Sequence, residues 1–150
     1  MASPANMTPE QIVKLLDSTP FFEKFSTYEK KRVAGNNACF ESFGPGVKII
    51  KDGTRDTSFF ILIKGDVQVE KKKKPIATLP AGEFFGEMAF LTGAARNTDI
   101  IAQSPCVTIK VNQEMLNRLS TDIREKIKDQ IINKLVERLN KTTDRLRVRM

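Results

Sequence analysis

From Cys39 to Val111 the chain is a series of short β-prone runs broken by glycine and proline: Gly44-Pro45-Gly46, Asp52-Gly53, Lys64-Gly65-Asp66 and Pro80-Ala81-Gly82. Regular turn signals between many short strands leave few architectures open, and a sandwich or closed jelly roll is the reading they support. Val67, Val69 and Ile76 flank a lysine-rich turn, Lys71-Lys72-Lys73-Lys74-Pro75, and together spell a hairpin. One irregular helical insertion, about Gly86 to Leu91, interrupts the strands.

Helices are expected on both sides of this region. Thr8-Pro9-Glu10-Gln11 reads as a helix start, with Thr8 as N-cap, Pro9 in the first turn and Gln11 completing a capping box. Pro20 ends that helix, Phe21, Phe22 and Phe25 supply an aromatic cluster, and a second short helix is expected near Thr27 to Val33. Gln113 to Leu119 reads as another short helix, and Ser120-Thr121-Asp122 offers the cap of a long one. On the long helix, Ile132, Leu135, Leu139, Thr142 and Leu146 have the spacing of a coiled-coil seam, and Ile123, Ile127, Ile131 and Leu135 form a second row facing the strands. The expected fold is mainly β with flanking helices. Residues 1–38 form an N-terminal helical segment, 39–111 a jelly-roll barrel, and 112–150 the C-terminal helices.

Bulk properties exclude several functions. A chain of 150 residues suits one core with a helical appendage. No apolar run approaches the roughly 20 residues that span a bilayer. The N-terminus lacks a basic region followed by an apolar core, so it does not read as a secretory signal. The complete absence of histidine removes the commonest general base and metal ligand, and with them a metal-dependent cupin enzyme. Cys39 and Cys106 fit no metal spacing; buried thiols are favoured over a disulfide, which points to a cytoplasmic protein. The net charge of +7 is split between the lysine turn and the last 30 residues. It reads as a solvated turn and helix face, or as contact with an acidic partner, a membrane surface or nucleic acid; no base-reading element supports the last.

The chemistry concentrates in Phe85-Gly86-Glu87-Met88-Ala89-Phe90-Leu91 and the following Arg96-Asn97-Thr98. Gly86 lets the backbone approach a ligand, freed amides can form an anion-binding nest, and Arg96 can clamp a phosphate through paired charge-assisted hydrogen bonds. Glu87 cannot serve a phosphate; a carboxylate beside such a site accepts from a hydroxyl. No nucleophile–base pair and no metal set accompanies them, so an enzyme is not expected.

This segment resembles the phosphate-binding cassette of the cyclic nucleotide-binding domain family, the module of catabolite activator protein and protein kinase A regulatory subunits. The segments Gly46–Gly53 and Phe59–Val69 match the family's glycine-punctuated strands. The resemblance implies a double-stranded β-helix with the cassette at residues 85–100 and cAMP or cGMP as ligand, cAMP first, with no other cofactor. It implies that Arg96 contacts the cyclic phosphate and Glu87 the ribose 2′-hydroxyl. The backbone at Gly86, Met88, Ala89 and Asn97 would face the phosphate. Val69 and Ile76 would line the base pocket or belong to the core, as would Ile100. Thr142 and Thr143 would contact the adenine or be tolerated polar residues. The family pattern has small residues and then Ser or Thr after the arginine, whereas here Asn97-Thr98-Asp99 follows. Asp99 opposes anion binding unless it points away, as strand parity from Arg96 suggests. The implied function is a non-enzymatic sensor that acts through its C-terminal helix on an unknown effector protein, with a homodimer through that helix. The alternatives are a ligand-free interaction module of the same fold, or the sensor part of a transcription regulator.

Overall fold

The computed structural model describes residues 7–35 and 39–149, with side chains described through residue 141. Two units are distinguished, residues 1–118 and 119–150.

In the first unit, helix α1 (Pro9–Asp17) begins with the capping box that the sequence spells: Thr8 accepts from the Gln11 amide, and the Gln11 side chain accepts in return from the Thr8 amide at 2.9 Å. A 3-10 turn (Pro20–Phe22) follows, and helix α2 (Thr27–Ala34) has its own capping box between Ser26 and Glu29. Each box satisfies donors that a helix start leaves without partners.

Eight strands follow among the described residues: β1 (Phe40–Phe43), β2 (Lys48–Ile50), β3 (Phe59–Lys64), β4 (Asp66–Lys71), β5 (Lys74–Pro80), β6 (Phe84–Phe85), β7 (Asp99–Ala102) and β8 (Cys106–Val111). They form two antiparallel four-stranded sheets, β1-β8-β3-β6 and β2-β7-β4-β5. The mainly-β expectation holds, with the strands arranged as two sheets and no ladder between the sheets among the described residues. Helix α3 (Glu87–Thr92) interrupts β6 and β7, and α4 (Gln113–Asn117) closes the unit, two residues shorter than the expected Gln113–Leu119.

The core lies between the sheets. Phe60, Leu62, Phe85 and Cys106 from one sheet meet Ile50, Val67, Ile100 and Ala102 from the other. Strand β3 is buried from Phe59 through Ile63, so it reads as an unbroken apolar run instead of alternating. Its second face is covered by an aromatic stack: Phe84 lies 6.1 Å from both Phe21 and Phe59, and Phe90 of α3 lies 4.9 Å from Phe59, all edge to face. Such pairs add about 0.5–1.5 kcal/mol each beyond their burial. Phe21 of the aromatic cluster thus ties the N-terminal turn to β6, and Phe90 ties α3 to the neighbouring β3. Cys39 and Cys106 are both free and buried, and loss of solvation pushes the Cys39 thiol up to about 11, which leaves it inert as a nucleophile.

The second unit is helix α5 (Thr121–Arg149), whose start is capped by Ser120 accepting from the Ile123 amide at 3.4 Å. Ile123, Ile127 and Ile131 are buried, whereas Ile132, Val136 and Leu139 are exposed along another stripe.

The chain passes from one sheet to the other at Gly65, between β3 and β4, with φ at +91°. A Cβ there would lie 2.5 Å from the Pro105 carbonyl oxygen and 2.8 Å from Cys106 Sγ. Gly65→Ala is expected to destabilise the fold by about 2 kcal/mol or more through strain and overlap, read as a lower midpoint in urea unfolding at unchanged slope.

Candidate functional site

Strand β6 ends at Phe85 because Gly86 turns into the left-handed region at φ +81° to start α3. A side chain at this corner would be strained by the positive φ, and its Cβ would sit 2.9 Å from both Arg96 Nη1 and Ile50 Cδ1, the side-chain ends that would have to shift. Phe85 itself is not a surface group. It is buried and stacks on Phe60 across the ladder, ring centres 5.5 Å apart, and so holds the corner from below.

Arg96 is buried. Its Nη1 donates to the Gly86 carbonyl at 2.8 Å and its Nη2 donates to the Ser58 carbonyl. Its own backbone is pinned on both sides, with its amide donating to Thr54 at 2.8 Å and its carbonyl accepting from Gly53 at 2.8 Å. The guanidinium therefore reaches the site from the arm before β7 and is held by the residue after β6 and the residue before β3, while the loop after β2 pins the arginine backbone. Burial lowers its affinity for a proton, and the nearby negative charges of Asp56 and Glu87 oppose that shift. Its hydrogen bonds go to neutral carbonyls, not to a carboxylate, so a charged, directional donor set stands beside the start of a helix. A phosphate satisfies both features at once.

Glu87 is half-buried at the first position of α3 and acts electrostatically on Arg96. Ala89 is buried, Met88 is exposed, Asn97 is exposed and Thr98 is half-buried. Gly86, Glu87 and Arg96 thus come together, with Ala89 on the inner side of the same short helix. Val69 is half-buried and packs against the core between the sheets, opposite Ile100, which is fully in that core. Ile76 is 58% exposed on the edge strand β5, whose residues Lys74 to Thr78 are all exposed; the β4–β5 register shifts there, so that Ala77 faces Val69, Pro75 faces Glu70, and Ile76 has no direct partner. The backbone of α5 runs through Thr142 and Thr143, but their side chains lie outside the described residues.

Two features were not found by reading the sequence. One is Ser58, whose carbonyl holds Arg96; the other is Asp56, which turns the chain there by accepting from the Ser58 amide at 2.9 Å. Burial would raise the Asp56 carboxyl, yet hydrogen bonds from Ser58 and the charges of Lys110 and Arg96 win and hold it below its usual range. The aspartate two residues before a serine is the signal that marks such a turn.

Asp99 spends its charge away from the guanidinium. Its carboxylate accepts from the Asp52 amide at 2.8 Å and from Lys48 Nζ at 3.3 Å, and these contacts, the amide first, hold it below the usual aspartate range.

The sequence profile of the cyclic nucleotide-binding domain family matches residues 40–122, and the chain belongs to that family. The cGMP-dependent protein kinase of Eimeria tenella is 35% identical over 106 residues, which cover 71% of this chain and 10% of the kinase. The solved structure of cAMP-bound PfPKA-R superposes with a TM-score of 0.67 at 29% identity, over 92% of this chain and 47% of that one. The regulatory subunit of a cAMP-independent protein kinase A from Trypanosoma brucei superposes at 0.66 and 26% identity, over 84% and 45% of the two chains. The chain thus spans a tenth of that kinase and under half of the two solved relatives.

Asp99→Asn is expected to change nucleotide affinity by less than about threefold, since its charge is already paired and screened. The same change should reduce stability at neutral pH. A depressed carboxyl stabilises the fold above the ordinary aspartate range and loses that contribution as pH falls through its lowered value. Thermal unfolding of both proteins between neutral and acidic pH should therefore show the two curves converging in acid.

Proposed function

We propose that the chain is a non-enzymatic regulatory module that binds a cyclic nucleotide, cAMP first, and passes the binding event to α5. The observation that carries this reading is the buried Arg96 guanidinium, held on the Gly86 and Ser58 carbonyls beside the start of α3. A phosphate would exchange those neutral acceptors for charged ones, which form hydrogen bonds about twice as strong. Because the same guanidinium holds the ends of β6 and the β3 approach, that exchange would alter the seating of α3. Glu87 would accept from the ribose 2′-hydroxyl. cAMP comes first because PfPKA-R, 29% identical, carries it; the Eimeria tenella relative is cGMP-dependent, and cGMP is the competing ligand. A shift of α5 follows only to the extent that the nucleotide binds one arrangement more tightly than the other. The exposed stripe Ile132, Val136 and Leu139 suits a second copy of the chain or an effector protein. Two buried free thiols suit a cytoplasmic setting.

A second reading rests on the same contacts. The Arg96 donors are already occupied by backbone carbonyls, so the corner is closed on itself, as suits an interaction module that takes no nucleotide. The Trypanosoma brucei relative, from a cAMP-independent kinase, keeps that option open.

Calorimetric titration of ligand-free protein with cAMP and with cGMP separates the two. Micromolar or tighter binding of one nucleotide is expected, weakened at least about tenfold by Arg96→Ala; no heat with either nucleotide from folded protein would establish the second reading. The 2′-deoxy analogue tests Glu87 separately. It should bind at least about tenfold more weakly to the native chain, and a Glu87→Gln variant should lose most of that discrimination.

A further inference from the structure

The β4–β5 hairpin carries four consecutive lysines, Lys71–Lys74, all exposed, and among the described residues none has an ion-pair partner. Lys71 pairs with Lys74 across the ladder, which leaves Lys72 and Lys73 as a two-residue turn. Both have positive φ, at 51° and 66°. That is the pattern of a type I′ hairpin turn, for which Asn-Gly is the favoured pair because both positions need left-handed backbone. Lysine meets neither need, and four like charges on one tip repel. The tip thus departs from the best turn chemistry in two independent ways, and both concern the same charges. Edge protection accounts for Lys74 and for Pro75 and Pro80 on the outermost strand. It does not require lysine at the two turn positions.

The surroundings extend the charge. Glu70 lies opposite Asp99 and Ile50 opposite Ile100, so the hairpin tip and the loop after β2, with the exposed Lys51 and Arg55, leave the sheet at the same end. The acids of these segments are Asp52, Asp56, Glu70 and Asp99; Asp99 is paired with Lys48 and Asp56 with Lys110. Beside the tip, on the exposed edge strand β5, stands Ile76, an apolar side chain 58% exposed. We infer that this tip docks on an anionic lipid bilayer. The lysines would sit at the negative surface and Ile76 would reach the interface. Lysine is a hydrated point charge on a flexible stem, which suits a diffuse negative surface, whereas bidentate recognition of a single phosphate group in RNA or a phosphopeptide calls for arginine.

The test uses the full chain with vesicles of phosphatidylcholine alone and of phosphatidylcholine with 30 mol% phosphatidylserine, followed by co-sedimentation at about 0.1 and 0.5 M salt. Binding is expected to the anionic vesicles only, and to fall at the higher salt. The variant Lys72→Asn with Lys73→Gly removes two charges and installs the favoured turn, so it separates docking from folding. Its vesicle binding should weaken roughly 30-fold at low salt, while its Tm should rise by about 2–4 °C. No binding to anionic vesicles at low salt overturns the proposal, as does equal binding of the variant and the native chain. Capture by a duplex oligonucleotide without vesicle binding assigns the tip to nucleic acid and overturns it too.

Discussion

The buried Arg96 guanidinium is the constraint around which one end of the structure is arranged. Burying a cation costs several kcal/mol unless its donors are met, and here they are met by main-chain oxygens instead of an ion-pair partner. Those oxygens belong to Gly86 and Ser58, while the arginine backbone is pinned by Gly53 and Thr54. The contacts come from segments next to β3 and β6 of one sheet and β2 of the other, and the arginine itself leads into β7. One side chain therefore joins the two sheets at the end where the cassette sits. Glycine at residue 86 suits this arrangement, since its φ of +81° strains any side chain and a Cβ would press on Arg96 Nη1 and Ile50 Cδ1. The Gly86 and Ser58 carbonyls keep the cation tolerable in the interior, and under the proposed function a phosphate would compete with them for the same donors.

Much of this was legible because it is local. The capping box at Thr8 is written in residues three apart, and it folds as written. The glycine at 86, the acid after it and the arginine at 96 mark the cassette by type and order, and the fold brings them to one corner. Partner strands are a different matter. β1 pairs with β8 and β2 with β7 across about half of the chain, and no short-range pattern encodes those ladders. β3 shows the same limit. Its unbroken apolar run is as compatible with a buried helix segment as with a strand covered on both faces, and only the aromatic stack of Phe21, Phe84 and Phe90 settles which.

Side-chain facing fails at bulges for a related reason. Alternation along a strand assigns a face only while the count is unbroken, and one extra residue reverses everything beyond it. Val69 and Ile76 are equivalent positions of one hairpin when counted from the turn, yet the register shift pairs Val69 with Ala77 and leaves Ile76 without a direct partner. Asp99 shows the opposite case. It is turned away from the guanidinium as expected, but not by strand parity, since β7 begins only at Asp99 and Thr98 before it is a bend. What occupies it, the Asp52 amide and Lys48, depends on a strand encountered some fifty residues earlier.

The two ends of β4 express opposite uses of unfavourable backbone. At Gly65 the chain needs positive φ to leave one sheet for the other, and glycine removes the strain. At Lys72 and Lys73 the same region of backbone is occupied by residues that keep the strain, at about 1 kcal/mol or more apiece. A hairpin of six and seven residues pairs well enough to carry that cost, because the ladder from Asp66 to Lys71 is continuous except at the register shift. The strain is thus tolerated by the hairpin but not explained by it. An explanation has to come from the charges themselves, which are exposed, unpaired and placed at the end of the sheet where an anionic surface would meet them first.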